Sequence, residues 1–323
     1  MVGAGISPVI GVLSSKPLDN IAVVIVTHNR CELLGRCLEG LARQTVPPKA
    51  IYVVDNASTD ATAQLLAGRT DLPLHVTRSA ENLGGAGGFA LGMKLAHEGG
   101  WDWIWMMDDD VVPQSDCAQQ LVKCGELAMI AVRENLDGAL VERSAIRFDL
   151  RNPLVVRSKR SYVAQTYRVR SHMPAVLYVE NVAFEGFMVH RSVVDAVGYP
   201  DARYFIFYDD VDYALRIRRA GYRISAVRDA VMVRQLDFAQ QHALDSWKGF
   251  YMFRNFFVVQ FKYGENALVR LKPYLITAVL VVASLVSRNG RARRAMLLSA
   301  LKSARRFDQE LATGVSPSEQ FAR

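Results

Sequence analysis

An α/β fold, with a mostly parallel sheet flanked by helices and a helical C-terminal extension, is predicted by three observations. Short β-branched runs alternate with amphipathic segments over residues 20–107. Each run ends on polar residues, where an open α/β sheet places its ligands. The last third of the chain exchanges this alternation for long helical patterns.

The first predicted strand is Ile21–Val26 (IAVVIV), apolar throughout as a buried parallel strand should be. Asn29 is expected as an N-cap, followed by a helix over Arg30–Arg43 with Leu33, Leu34, Cys37, Leu38 and Leu41 on one face. Pro47 and Pro48 break it. Ile51–Val54 is the second strand, ending at Asp55-Asn56, and a second helix begins over Ser58–Leu66. Leu74–Thr77 is a third strand. A glycine-rich turn, Asn82-Leu83-Gly84-Gly85-Ala86-Gly87-Gly88, then leads into a helix over Gly88–His97. Trp103–Met107 is the fourth strand and runs straight into Asp108-Asp109-Asp110. Residues 125–180 are less regular. A helix follows over Asp209–Ala220, stopped by Gly221, and another near Trp247–Lys262. Residues 1–19 read as a loose leader, 20–245 as the catalytic domain and 246–323 as a helical C-terminal region with a basic amphipathic tail.

Half of the 323 residues are hydrophobic and 22% are charged, which excludes global disorder. The net charge of +7 is local. Residues 287–306 carry seven basic side chains and no acid, and the remainder is neutral. A whole-protein nucleic-acid binder would spread its charge, so none is expected as a partner. The four cysteines form no C-x-x-C pair and fit a reduced, cytoplasmic chain. The longest apolar run, Tyr274–Val286, falls short of the roughly 20 residues that span a bilayer, so no transmembrane helix is expected. Basic residues at three- and four-residue steps around Met296, Leu297, Leu298 and Leu301 instead point to peripheral contact with an anionic membrane surface.

Three segments carry chemistry. Carboxylates packed as closely as Asp108-Asp109-Asp110 repel and need protons or cations. At a strand end, Asp108 and Asp110 can converge on one Mn2+ or Mg2+, a hard cation suited to bridging diphosphate oxygens. The glycine run lets backbone approach a ligand or another part of the fold. In Asp209-Asp210-Val211-Asp212, acids at a helix start are favoured by its dipole, and one of them can also serve as a general base.

Taken in order, VIVTHNR, VDNASTD, ENLGGAGGFALG, WIWMMDDDVVP, FEGFMV, FIFYDDVDYALRIRRAGY and WKGFYMFRN resemble the family 2 glycosyltransferases of GT-A fold. The branch they most resemble is that of the galactofuranosyltransferases. The resemblance covers residues 20–260 and implies an inverting transferase that takes galactofuranose from its uridine diphosphate donor. It implies Thr27, Arg30 and Asp55 on the nucleotide side of the donor pocket, with Asn82, Gly84 and Gly85 beside it and Asp109 at the donor sugar. It implies Asp108 and Asp110 as metal ligands, and Asp210, neighboured by Asp209, as the base. Glu185, Phe187 and Asp212 are expected at a glycan or glycolipid acceptor. The family's metal-completing His falls twelve residues before the Trp of WKGFYMFRN, where this chain has Gln235; His242 is the nearby substitute. The same motifs leave open a rhamnosyltransferase using dTDP-rhamnose, or an inactive assembly subunit. The oligomeric state is open, homo-oligomers included.

Overall fold

The computed structural model describes residues 20–236, 247–286 and 290–307. The leader, the 245/246 boundary and His242 lie outside the described residues. The first half of the chain runs β1 (Ile21–Thr27), α1 (Cys31–Ala42), β2 (Ala50–Asp55), α2 (Thr62–Gly68), β3 (Leu74–Arg78), α3 (Gly84–Glu98) and β4 (Trp103–Asp108). Next come β5 (Val111–Pro113), α4 (Cys117–Lys123), β6 (Ala128–Glu134), β7 (Ala145–Phe148), β8 (Lys159–Tyr162) and α5 (Val163–Tyr167). They are followed by β9 (Val176–Val179), β10 (Phe187–His190), α6 (Arg191–Val197), α7 (Asp209–Arg219) and β11 (Ile224–Arg234). The C-terminal helices are α8 (Trp247–Tyr263), α9 (Ala267–Ala283) and α10 (Gly290–Arg306).

The protein is a mixed α/β fold with a mostly parallel central sheet. The strand order is β3-β2-β1-β4-β10-β6-β11-β5, with β9 also on β11. β3, β2, β1, β4, β6 and β11 run one way, while β10, β5 and β9 run against them. Helices cover both faces because the strands are apolar on both: all seven residues of β1 are buried, with Ala22, Val24 and Val26 in one core and Ile21, Val23 and Ile25 in the other. Cys31, Cys37, Cys117 and Cys124 are free thiols.

Three expectations are corrected. Asn29 does not cap α1, whose N-cap is Arg30; the Asn29 Oδ1 instead accepts the Thr59 N–H at 2.7 Å and ties two loops together. The glycine run is no turn before a helix, because α3 begins at Gly84. Its glycines let the helix lie close on the sheet, since a Cβ at Gly88 would stand 2.5 Å from Val26 and one at Gly92 would stand 2.4 Å from Val24. The apolar C-terminal run is also longer than the sequence indicates. With a final tight turn, Ala267–Val286 forms a 20-residue helix, long and apolar enough by length and composition to cross a membrane. Asn266 caps it by accepting the Val269 N–H, and the internal Pro273 does not break it.

Candidate active site

The parallel strands deliver Thr27, Asp55 and Asp108 to one edge of the sheet. The chain turns at Asp109-Asp110, and β5 pairs back onto β11 so that Val111 sits opposite Arg234. β10, running against its neighbours, starts at the same edge and brings Glu185 there just before Phe187.

The three aspartates have different partners. Asp109 is 2% exposed and accepts Thr27 Oγ1 at 2.7 Å and an Arg30 guanidinium nitrogen at 2.9 Å. The same nitrogen reaches Asp110 Oδ2 at 3.2 Å. Arg234 stands 4.0 Å from that oxygen, whereas the buried Asp110 Oδ1 has no hydrogen-bond partner. Burial first, then Asp110 and Glu185, push Asp108 well above the usual carboxylate range. Burial and Glu185 raise Asp110 to about 6. Two crowded carboxylates, one with a buried unpartnered oxygen, fit a hard divalent cation that would hold them ionised. Gln235 is beside them: its backbone N–H donates to the Asp110 carbonyl at 2.8 Å, and its side-chain nitrogen is 3.3 Å from the Val233 carbonyl. Among the described residues, no group of three acids, histidines or cysteines could hold a metal; a neutral oxygen such as the Gln235 amide is of a type that could add to Asp108 and Asp110.

The second acid run opens α7. The loop leading into it is strained, with Phe205, Phe207 and Tyr208 at φ of 62, 65 and 67°. Such angles are outliers for bulky residues and persist only when surrounding contacts enforce them. Here α8 enforces them. The Asn255 amide donates to the carbonyls of Tyr204, Ile206 and Phe207 at 2.8–2.9 Å, and Arg254 donates to those of Arg203 and Tyr204. The Ala86 N–H donates to the Phe205 carbonyl at 3.0 Å, and a Cβ at Gly84 would stand 2.1 Å from that oxygen. Asn56 closes the set by donating to the Gly84 carbonyl at 3.0 Å. Three segments distant in sequence, around Asn56, Gly84–Ala86 and Arg254–Asn255, thus lock one loop.

Asp209 and Asp210 emerge from this loop with elevated proton affinity. Burial, then Asp210, push Asp209 up to about 8. Asp210 is raised to about 6 by burial, against the pull of Lys159 and of a 2.7 Å hydrogen bond from the Val211 N–H. Burial raises both carboxyls, and the Lys159 cation and the Val211 N–H favour the anion on Asp210. Glu185 acts electrostatically on Asp108, Asp110 and Asp210, so the two acid runs share one site.

Several expected residues have other roles. Phe187 is fully buried in β10, opposite Met106 and Ile130, with its ring against Phe184 and Tyr213; no acceptor can reach it. Asp212 is also fully buried and accepts Tyr204, Arg216, Lys262 and Tyr263 at 2.6–3.1 Å, so it holds α7, α8 and the strained loop together. Glu185 lies between Arg133 at 2.6 Å and Arg234 at 2.9 Å, with its charge engaged by protein. Asp55 is 1% exposed, with its oxygens toward the Ser58 N–H at 2.8 Å and Arg78 at 3.6 Å. The Asn82 Oδ1 accepts the Gly84 N–H at 2.8 Å. Gly85 alone in the Gly84–Gly88 run has open space where a Cβ would stand, apart from Ala86, which already has one.

Sequence reasoning missed Arg133, Arg234 and Lys159. Each of the two arginines interrupts an apolar strand, AMIAVRE and AVMVR, and an ionised group there must find a partner. A cavity of about 470 Å³ lined by Tyr178, Glu180, Arg218 and Arg223 contains none of the site acids.

Comparison with known proteins agrees with this geometry. Residues 22–124 match the model of glycosyl transferase family 2. Galactofuranosyltransferase GlfT1 of Mycolicibacterium smegmatis is 35% identical over 204 residues, 62% of this chain and 66% of that protein. GlfT1 of Mycobacterium tuberculosis is 33% identical over 217 residues, 66% and 69% of the two chains. The chain thus spans about two thirds of the length of these relatives. An N-acetylglucosaminyl-diphospho-decaprenol L-rhamnosyltransferase of M. tuberculosis is 28% identical over 226 residues, 63% and 72% of the two chains. Two solved structures share the fold at low identity. The mannosyltransferase PcManGT of Pyrobaculum calidifontis, in complex with GDP-Man and Mn2+, matches at a TM-score of 0.54 and 18% identity over 88% of this chain and 86% of its own. Staphylococcus aureus TarS 1-349, in complex with UDP-GlcNAc, matches at 0.54 and 16% over 88% and 81%. With the sheet edge, both acid runs and these likenesses in agreement, the chain belongs to glycosyltransferase family 2, of GT-A fold, in its galactofuranosyltransferase branch.

Proposed function

We propose that the protein is an inverting, metal-dependent glycosyltransferase that moves galactofuranose from uridine diphosphate-galactofuranose to a hydroxyl of a lipid-linked glycan. The acceptor would be met at the inner face of the cytoplasmic membrane, during synthesis of a bacterial cell-surface polysaccharide. The observation that carries this reading is the pairing of two acid runs in one site, one suited to a cation and the other holding a carboxylate with a pKa near neutrality. Support for the donor comes from the GlfT1 relatives, and support for a divalent ion from the Mn2+ in a neighbouring fold.

Thr27 and Arg30 hold Asp109 in place, and Arg30, with its side chain 39% exposed, presents positive charge toward a diphosphate. Asp108 and Asp110, with Gln235 alongside, would hold Mn2+ or Mg2+, whose positive charge favours departure of the nucleoside diphosphate. Gly85 leaves room for the donor at the start of α3. Asp210 takes the proton of the acceptor hydroxyl as its oxygen forms the bond to the anomeric carbon and the bond to the diphosphate breaks. A single displacement of this kind inverts the anomeric centre. Burial and the neighbouring Asp210 favour the protonated form of Asp209, which would make it a hydrogen-bond donor beside the base.

The test is a donor panel with a lipid-linked or synthetic galactoside acceptor, read by mass spectrometry with added Mn2+. Transfer from uridine diphosphate-galactofuranose, and not from dTDP-rhamnose, is expected. Preference for dTDP-rhamnose would make the protein a rhamnosyltransferase, and turnover of neither donor, hydrolysis included, would make it an inactive subunit.

A further inference from the structure

The outer side of α9 and its final turn is apolar along its whole length. Leu268, Leu271, Leu275, Val279, Val282 and Val286 are each between 49% and 94% exposed. Their spacing of three, four or seven residues draws one stripe along the helix. The opposite side is fixed to protein, with Val269, Pro273, Thr277 and Ser284 buried, and at the border of the stripe the buried Lys272 donates to the Val155 carbonyl at 2.8 Å. This inverts the usual arrangement of a surface helix, which turns its apolar side inward. A contiguous apolar stripe in water marks an interaction surface.

The geometry points to this stripe as the face by which the protein lies on an anionic phospholipid bilayer, with α9 parallel to the membrane plane. The inference concerns the surface and is independent of the donor and acceptor assigned above. Charge selects the occupant. The described residues of α10, 290–306, carry six basic side chains and no acid. Arg305 reaches over α9, its guanidinium carbon 5.9 Å from the centre of the Tyr274 ring, at the border of the stripe. Arg291, Lys302 and Arg306 are exposed on the same helix. A second copy docking through the stripe would bring one positive patch toward another, whereas anionic headgroups complement it. Leu154 and Val156, 89% and 60% exposed, flank the residue that receives Lys272 and extend the apolar surface.

Orientation follows from what α9 is attached to. A helix of this length could span a bilayer, but its inner side packs on α8, which buries Arg254, Asn255 and Gln260. Those polar groups cannot follow it into hydrocarbon. Only the outer stripe is free to enter, and a flat helix submerges it while Tyr274 and the arginines stay at headgroup level.

The experiment is sedimentation of the full chain with vesicles of phosphatidylcholine, alone or with added phosphatidylglycerol, followed by alkaline carbonate extraction. Binding is expected only with the anionic lipid, weakened by salt and reversed by carbonate. The L275E/V279E variant should bind at least about tenfold more weakly, because two charges then face the acyl boundary. The K302E/R305E variant should lose the preference for anionic lipid. Both alter exposed positions, and L275E/V279E should hydrolyse donor in solution as the wild type does. A failure on vesicles therefore stays separate from a failure of the donor reading. Unchanged binding by L275E/V279E would overturn the proposal, resistance to carbonate would overturn the flat orientation, and a wild-type dimer dissociated by L275E/V279E without vesicle binding would assign the stripe to a second copy.

Discussion

The acid runs at residues 108–110 and 209–212 have nearly the same composition and different fates. In the first, the chain leaves a strand and turns, so all three carboxylates stay at one sheet edge, where Asp109 and Asp110 share Arg30 and Arg234 stands near Asp110. In the second, the chain enters a helix, where each residue advances by about 100°. Asp210 and Asp212, two residues apart, therefore fall on opposite sides. Asp210 remains in the site, while Asp212 is sealed inside by four donors. A count of acids in a motif says little about which of them do chemistry. The backbone that carries them decides.

The contrast can be broken by substitution, beginning with the largest effect. Asp108→Ala or Asp110→Ala should cut transfer by about 10²–10³-fold or more, since a cation supplies several kcal/mol of charge stabilisation at roughly 1.4 kcal/mol per decade. Chelator should have little further effect on either variant. Near-normal transfer by either one in chelator would remove the metal from the account.

Asp212→Ala should act on the fold. It leaves Lys262 and Arg216 without their shared carboxylate, and breaking a buried ion pair costs about 3–5 kcal/mol. A large drop in the urea midpoint is expected, against a small one for Asp210→Asn. Equal midpoints would mean that the two acids share one role.

Next is Gly88→Ala, which places a methyl group against Val26 and should cost about 1–3 kcal/mol by overpacking. Gly85→Ala, with open space at the Cβ, should leave the midpoint unchanged and raise KM for the donor. A destabilised Gly85→Ala would show that its open side is not part of the site.

The smallest effect sharpens the comparison through pH. A base must be ionised to work, so kcat/KM should level off well above pH 6, fall to half near about 6 and keep falling below it. Lys159 is the positive charge that most favours the Asp210 anion, so Lys159→Met should move this limb to higher pH. A limb that ignores Lys159 would belong to another group.

Much of this was legible in the sequence. Period and composition predicted β1, β2 and β4, because fully buried strands read as unbroken apolar runs. The Asp108–Asp110 run was legible because it closes such a strand. Side-chain direction after position 208 was harder to read, since it depends on a loop whose left-handed residues are fixed by Asn255 from another helix. The glycine run reads as a turn in the sequence, since helix propensity argues against glycine, and its close packing on Val24 and Val26 is a tertiary fact. Pro273 hid the true length of α9. Spacing does not reveal that Phe187 is sealed off, because its burial comes from cores on both faces of β10, which is a tertiary fact.

The central claim is that the first run serves the donor while Asp210 deprotonates the acceptor. It is tested most directly by measuring uridine diphosphate affinity and galactofuranose transfer on Asp210→Asn and Asp209→Asn side by side, with Mn2+ present. Asp210→Asn keeps the size of the side chain and removes its basic oxygen. The account predicts native nucleotide affinity with transfer reduced by about 10²–10⁴-fold for Asp210→Asn, the scale of general-base catalysis, and a smaller loss for Asp209→Asn. Near-native transfer by Asp210→Asn, with Asp209→Asn inactive, would contradict it and give the base to the neighbouring residue.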